Sequence, residues 1–268
     1  MTNPTDPPTG RSADARPSRG RRTAFRILAG VMGVSGAAFG LFTAVFGVVS
    51  EAQRIHAFHN AVVASLLIVL SALPALAVAR IPERSGPALA QLTAVGVAGA
   101  VTMILALTAD PFTLPFIVLV GVLWLLRPGG EPVVSRGRPS PLLLVLVLGA
   151  AVPLVLYALN QAEISRIDRT SEHAEFYHWV ETSFYAIAVL LVGLLAGIRP
   201  VHYRLLSWSA GIALAVMGGA SVAFPGRASA LQSPWGWIAL AGGAAFVAAS
   251  EVERHRLGPR TPVPPGTP

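Results

Sequence analysis

Residues 54–84 read RIHAFHNAVVASLLIVLSALPALAVARIPER, and this stretch decides the fold. Positions 60–79 pass without a charge, between a histidine-rich entry and an exit marked by Arg80 and Arg84. A helix needs about 20 mostly apolar residues to cross ~30 Å of hydrocarbon, where the backbone must satisfy its own hydrogen bonds. Seven more runs follow this pattern, at 25–49, 88–108, 111–126, 140–159, 179–198, 205–224 and 235–250. Those at 111–126 and 235–250 are short, so a seven-span arrangement that demotes one of them is the main alternative. Only 12% of the chain is charged, about half the ~25% usual for soluble domains. The expected fold class is all-α, a polytopic helical membrane bundle of about eight transmembrane helices.

Arginine placement sets the orientation. The amino tail holds Arg11, Arg16, Arg19, Arg21, Arg22 and Arg26; later gaps hold Arg80 and Arg84, Arg127, Arg136 and Arg138, then Arg199 and Arg204. The carboxyl tail adds Arg254, Arg256 and Arg260, and only Arg54, Arg166, Arg169 and Arg227 fall in the intervening gaps. Short loops rich in arginine stay cytoplasmic, so both termini are expected there, in the inner membrane of a bacterium. The net charge of +7 then faces anionic lipid headgroups, the expected partners. No basic stripe interleaves with aromatics, so nucleic acid is not an expected partner. A protein partner or a second copy of the chain stays open. Arg21-Arg22 precedes an apolar run too long for an export signal, so this run reads as a retained helix.

Residues 1–23 and 257–268 are rich in Pro, Gly, Ser, Thr and Arg, the composition of disordered tails. Between them the chain divides into a membrane unit at 24–126, a cytoplasmic linker at 127–139 and a second membrane unit at 140–256. Phe58-His59 and Tyr177-His178 open the second span of each unit. Arg80 and Arg199 lie 21 residues on, with Pro82 and Pro200 close behind; Asp110-Pro111 and Ser233-Pro234 open the short fourth spans. The matching spacing reads as two tandem four-helix repeats, parallel copies related by an axis along the membrane normal. Gly33, Gly36, Gly40 and Gly47 share a face of the first span, and Gly218-Gly219 and Gly242-Gly243 recur later, as close helix packing in lipid requires. Pro74 and Pro153 inside spans predict local distortion.

No cysteine is present, which removes disulfides, thiolate metal sites and iron–sulfur clusters. Without lysine no Schiff base can form. The one concentration of chemistry lies on the outer side, where His56 and His59 flank Ala57-Phe58 and His173, Glu175, His178 and Glu181 follow within nine residues. Helical spacing would put His56 with His59 on one face, and Glu175, His178 and Glu181 on another. Imidazoles with carboxylates from two helices form a first shell for a divalent ion such as zinc, iron or manganese. The lesser alternative is haem held axially by His59 and His178. The unremarkable alternative is that these groups only hydrate loops and cap helices. A di-iron carboxylate centre fails, because on the outer side the first unit offers only Glu51. His202 and His255 sit among arginines and read as solvated. The span interiors hold no Asp, Glu, Arg or His, which argues against a proton-driven transporter. Sequence therefore leaves two functional classes: a metal-dependent site, binding or hydrolytic, and a non-enzymatic membrane subunit that packs on a partner or handles lipid.

Overall fold

The computed structural model describes residues 18–50, 52–128, 138–198 and 203–257, and these are helical apart from short connections. Helix α1 (Arg19–Val49) is followed by a 3-10 turn (Ala52–His56), α2 (Ala57–Ser65), a π-helical segment (Leu66–Ala72) and α3 (Leu73–Arg80), which together form the second rod. Then come α4 (Gly86–Ala106), α5 (Thr113–Leu126), α6 (Pro141–Ile167), the one-turn α7 (Glu172–Glu175), α8 (His178–Ile198), α9 (Arg204–Ala223) and α10 (Trp235–Leu257). Among the described residues seven helices are long and apolar enough to cross a membrane, while α5 is a shorter apolar helix. The architecture is an all-helical bundle of multi-pass membrane type.

Boundaries depart from the apolar runs where amphipathic turns extend a helix. Helix α1 begins at Arg19, inside the expected tail at 1–23, because the Ser18 hydroxyl accepts from the Arg21 N–H at 3.3 Å. Helix α6 continues past 159 to Ile167, placing Gln161, Glu163 and Arg166 on a helix instead of in a loop. Helix α10 continues past 250 to Leu257, so the eighth span is not short. Only the fourth span stays short, with Asp110 Oδ1 and Oδ2 each 3.0 Å from the Phe112 and Thr113 N–H groups at its start. The expected linker and tails fall largely outside the described residues, as do Arg11, Arg16, Arg136, Arg199, His202 and Arg260.

Helices alternate in direction, giving the bundle two distinct ends. At one end Arg21 reaches the Leu125 carbonyl at 2.8 Å, Arg26 reaches that of Ala79 at 3.1 Å, and Arg204 pairs with Glu251 at 2.8 Å. The opposite end carries the four histidines. Burial separates inner from outer rods: 56–61% of the span is buried for residues 53–80, α4, α8 and α9, against 17–22% for α1, α6 and α10. Helix α1 packs along α2, the π segment and α3, while α6 packs along α8, α4 against α5 and α9 against α10. Across the middle α4 lies on α8 and α9 on α2.

Two packing devices hold the inner rods in place. Pro74 lacks the N–H that would reach Leu70 four residues back. The chain widens into the π segment there, and Gln91 of α4 donates its side-chain amide to the Val69 and Leu70 carbonyls at 3.3 and 3.2 Å. Between α9 and α10 the approach is so close that a Cβ at Gly211 would stand 2.8 Å from the Gly243 carbonyl oxygen. Tyr185, fully buried at the centre, donates to the Ala213 carbonyl at 2.7 Å and accepts from Ser65 Oγ at 2.8 Å, tying α8 to α9 and α2.

Candidate metal centre

Four imidazoles meet at the end of the bundle opposite the arginine-rich end. His56 closes the 3-10 turn and His59 lies in the first turn of α2, while His173 rides on α7 and His178 opens α8. Ring centroids of His56 stand 4.7 Å from both His173 and His178; His59 stands 5.0 Å from His173 and 4.6 Å from His178. The loop between α6 and α8 is what brings His173 in. Asp168 accepts from the Ser171 N–H at 3.1 Å and the Trp179 indole at 3.1 Å, and also from the Ser171 hydroxyl. Ser171 in turn caps α7, accepting from Ala174 N–H at 3.2 Å. His173 then stacks on Trp179 with centroids 5.2 Å apart.

His56, His59 and His173 each offer a ring nitrogen within 4.8 Å of the other two. Three buried ring nitrogens in this cluster, His56 Nδ1, His59 Nδ1 and His173 Nε2, have no hydrogen-bond partner among the described residues. Buried polar atoms are rarely left that way. The opposite nitrogens of two rings are engaged: His56 Nε2 lies 3.7 Å from Glu172 Oε2, and His59 Nε2 lies 3.1 Å from Ser229 Oγ. Ser229 has one hydroxyl proton, and it goes to Gln161 Oε1 at 2.6 Å. The hydroxyl must therefore accept from His59 Nε2–H, which leaves the His59 Nδ1 lone pair free. That is the outer-sphere pattern of a metal-ligating histidine, whose far nitrogen is fixed by a carboxylate, carbonyl or hydroxyl.

Electrostatics favour the neutral imidazole that a metal requires. Burial, then the neighbouring His56 and His178 rings, hold His173 below the ordinary histidine value, against the opposing pull of Asp168 and Glu172. The hydrogen bonds from Ser171, Trp179 and Thr170 keep Asp168 below the usual carboxylate range. His178 sits beside the trio with Nδ1 3.1 Å from Glu181 Oε2.

One expected ligand is displaced. Glu175 is exposed, and among the described residues its side chain has no ion pair or hydrogen bond. The i, i+3 argument that joined Glu175, His178 and Glu181 needs a continuous helix, yet α7 ends at Glu175 and Tyr177 takes a left-handed φ of 59°. Only His178 and Glu181, both within α8, share a face. Glu172 takes the place beside His56. Gln161 and Ser229 carried no signal in the sequence, being neutral side chains on α6 and on the α9–α10 connection. Haem does not fit: the His59 and His178 rings stack at 4.6 Å with 17° between planes, leaving no gap for a macrocycle. His255 is exposed beside Arg254, as expected.

Comparison with protein-family models, curated proteins and solved structures finds no match to this chain.

Proposed function

We propose that this chain is a multi-pass protein of a bacterial inner membrane, termini cytoplasmic, which holds a divalent metal ion through His56, His59 and His173 at its outer end. The observation that carries this reading is that His56, His59 and His173 each bring a ring nitrogen within 4.8 Å of the others. In addition each ring has a buried nitrogen without a hydrogen-bond partner among the described residues, and Ser229 and Glu172 lie beside His59 Nε2 and His56 Nε2. Zinc–imidazole bonds of ~2.0–2.1 Å place tetrahedral ligands about 3.3 Å apart, so each nitrogen shifts inward by less than about 1 Å on binding. Imidazole donors favour zinc among the available divalent ions, with iron, copper and nickel also suited.

Three protein ligands leave a fourth position open, the arrangement of zinc sites that activate water. His178, held by Glu181, stands where it can complete the coordination or take a proton from a bound water. Two tandem four-helix units account for the placement. In each half the second and third rods are inner and the outer rods pack on them, and α4 on α8 mirrors α9 on α2. His59 and His178 then open corresponding rods.

Cobalt substitution tests the site. Protein purified without a polyhistidine tag should take up one Co²⁺ and show the visible absorption of a low-coordinate nitrogen site. His56→Ala, His59→Ala and His173→Ala should each abolish that spectrum with helicity intact. A hexa-aquo spectrum in the parent protein would refute the site.

A further inference from the structure

A second site lies beside the histidines. A cavity of about 580 Å³ runs between α1, the second rod, α5 and α8, within the range of small-molecule pockets. Its long part is apolar, walled by Phe39, Phe42, Phe46, Leu67, Phe116 and Phe184, with the Phe42 and Phe46 rings stacked 5.3 Å apart. Along α1 it extends from Met32 to Phe46, about 21 Å at 1.5 Å per residue. One bilayer leaflet is ~15 Å deep, so a long hydrocarbon chain fits lengthwise.

The end near the histidines is polar. Asn60, Asp110, His178 and Glu181 all line it, and no arginine does. Asn60 is 9% exposed, and its Nδ2, without a hydrogen-bond partner among the described residues, lies against α1 at Gly47. Asp110 is consumed in capping α5, whereas Glu181 meets His178 through Oε2 alone. The polar end thus offers the free Glu181 Oε1, with Gln53 and the Asp110 carboxylate beside it and no arginine.

We infer that this cavity binds an amphiphile with one long hydrocarbon chain and a non-anionic head that carries hydroxyl or amine hydrogens. The head donates to Glu181 Oε1, and the chain lies along the phenylalanines. A phosphate or carboxylate head meets the Asp110 carboxylate and no arginine, and is rejected. The bilayer supplies the ligand, and the polar end delivers its head next to the histidine cluster.

Native mass spectrometry from detergent micelles tests this, with hexadecylamine, hexadecanol and hexadecyl phosphate as probes. The protein is first treated with chelator, so the outcome does not depend on the metal reading. The amine and the alcohol should each bind one per chain, and the phosphate at least tenfold more weakly. Glu181→Gln should weaken the amine about tenfold and leave the alcohol within twofold. Thr43→Trp, which fills the middle of the cavity, should abolish binding of all three. Ser71→Phe fills its far end and serves where Thr43→Trp lowers the yield of folded protein. Equal binding of the three probes, or binding that survives both filling variants, would mean ordinary annular lipid and overturn the inference. An amine preference that Glu181→Gln leaves unchanged would overturn the head-group assignment.

Discussion

Ser229 offers the sharpest separation of a metal-tuning role from a structural one. It adopts a left-handed φ of 62°, a conformation that costs a residue with a side chain roughly 1–2 kcal/mol. Glycine would relieve that cost, yet the position holds the hydroxyl that accepts from His59 Nε2 at 3.1 Å and donates to Gln161 at 2.6 Å. Each of those hydrogen bonds contributes about 0.5–1.5 kcal/mol net. In Ser229→Gly the relief and the loss therefore offset, and metal-free stability should change by less than about 1 kcal/mol. Metal affinity should not be spared. Without the hydroxyl nothing fixes the proton on Nε2, and loss of such an outer-sphere partner costs 10–100-fold in affinity, or about 1.4–2.7 kcal/mol. The assay is competition for Zn²⁺ against a chromophoric chelator in detergent, alongside thermal unfolding of metal-free protein. Zinc affinity within twofold of the parent, in a variant of unchanged stability, would refute the assignment of His59 Nδ1 as ligand.

Other perturbations test the frame around the site. Gln91→Leu strands the Leu70 carbonyl opposite Pro74 in the π segment, and should destabilise the bundle by about 1–3 kcal/mol in thermal unfolding; an unchanged midpoint would show that the carbonyl finds another partner. Gly211→Val places a branched side chain against the Gly243 carbonyl and Val247, and should cost 1–3 kcal/mol or more; a stability equal to the parent's would contradict the close α9–α10 approach. His173 is held below the ordinary histidine value of ~6.5, so the unfolded chain takes up that proton first. Its contribution to stability is present above ~6.5 and lost as pH falls toward the folded-state value. Bound zinc should be retained from pH 8 to about 6.5 and released steeply below it, as equilibrium dialysis would show; tighter binding in acid would contradict imidazole ligation. Because the chain lacks cysteine, Thr170→Cys and Glu83→Cys report the two ends separately. An impermeant maleimide should label the first in intact spheroplasts and the second only after lysis, and the reverse pattern would invert the topology.

The helical bundle and its arginine-rich end could be read directly, because bilayer thickness and charge clustering both act on composition alone. Helices outran the apolar runs where their last turns were amphipathic: Asn160-Gln161-Ala162-Glu163 continues α6 although its hydropathy has ended. The convergence of His56, His59 and His178 followed from helix starts sharing one end. His173 did not follow. Its position depends on the Asp168–Ser171–Trp179 contacts and the left-handed Tyr177, a loop conformation that periodicity does not encode. The same break at Tyr177 removed Glu175 from the ligand set. Gln161 and Ser229 meet only through folding, from chain positions 68 residues apart, and neutral side chains leave no spacing motif to find them by.

The central claim is that three imidazoles close on one metal ion. Elemental analysis of protein expressed without a polyhistidine tag and purified without chelators tests it most directly. The account predicts close to one equivalent of zinc, or of another imidazole-binding divalent metal, per chain, falling to background in the His59→Ala variant. Fully folded protein that carries no metal, and takes up none on dialysis against micromolar zinc, would contradict it.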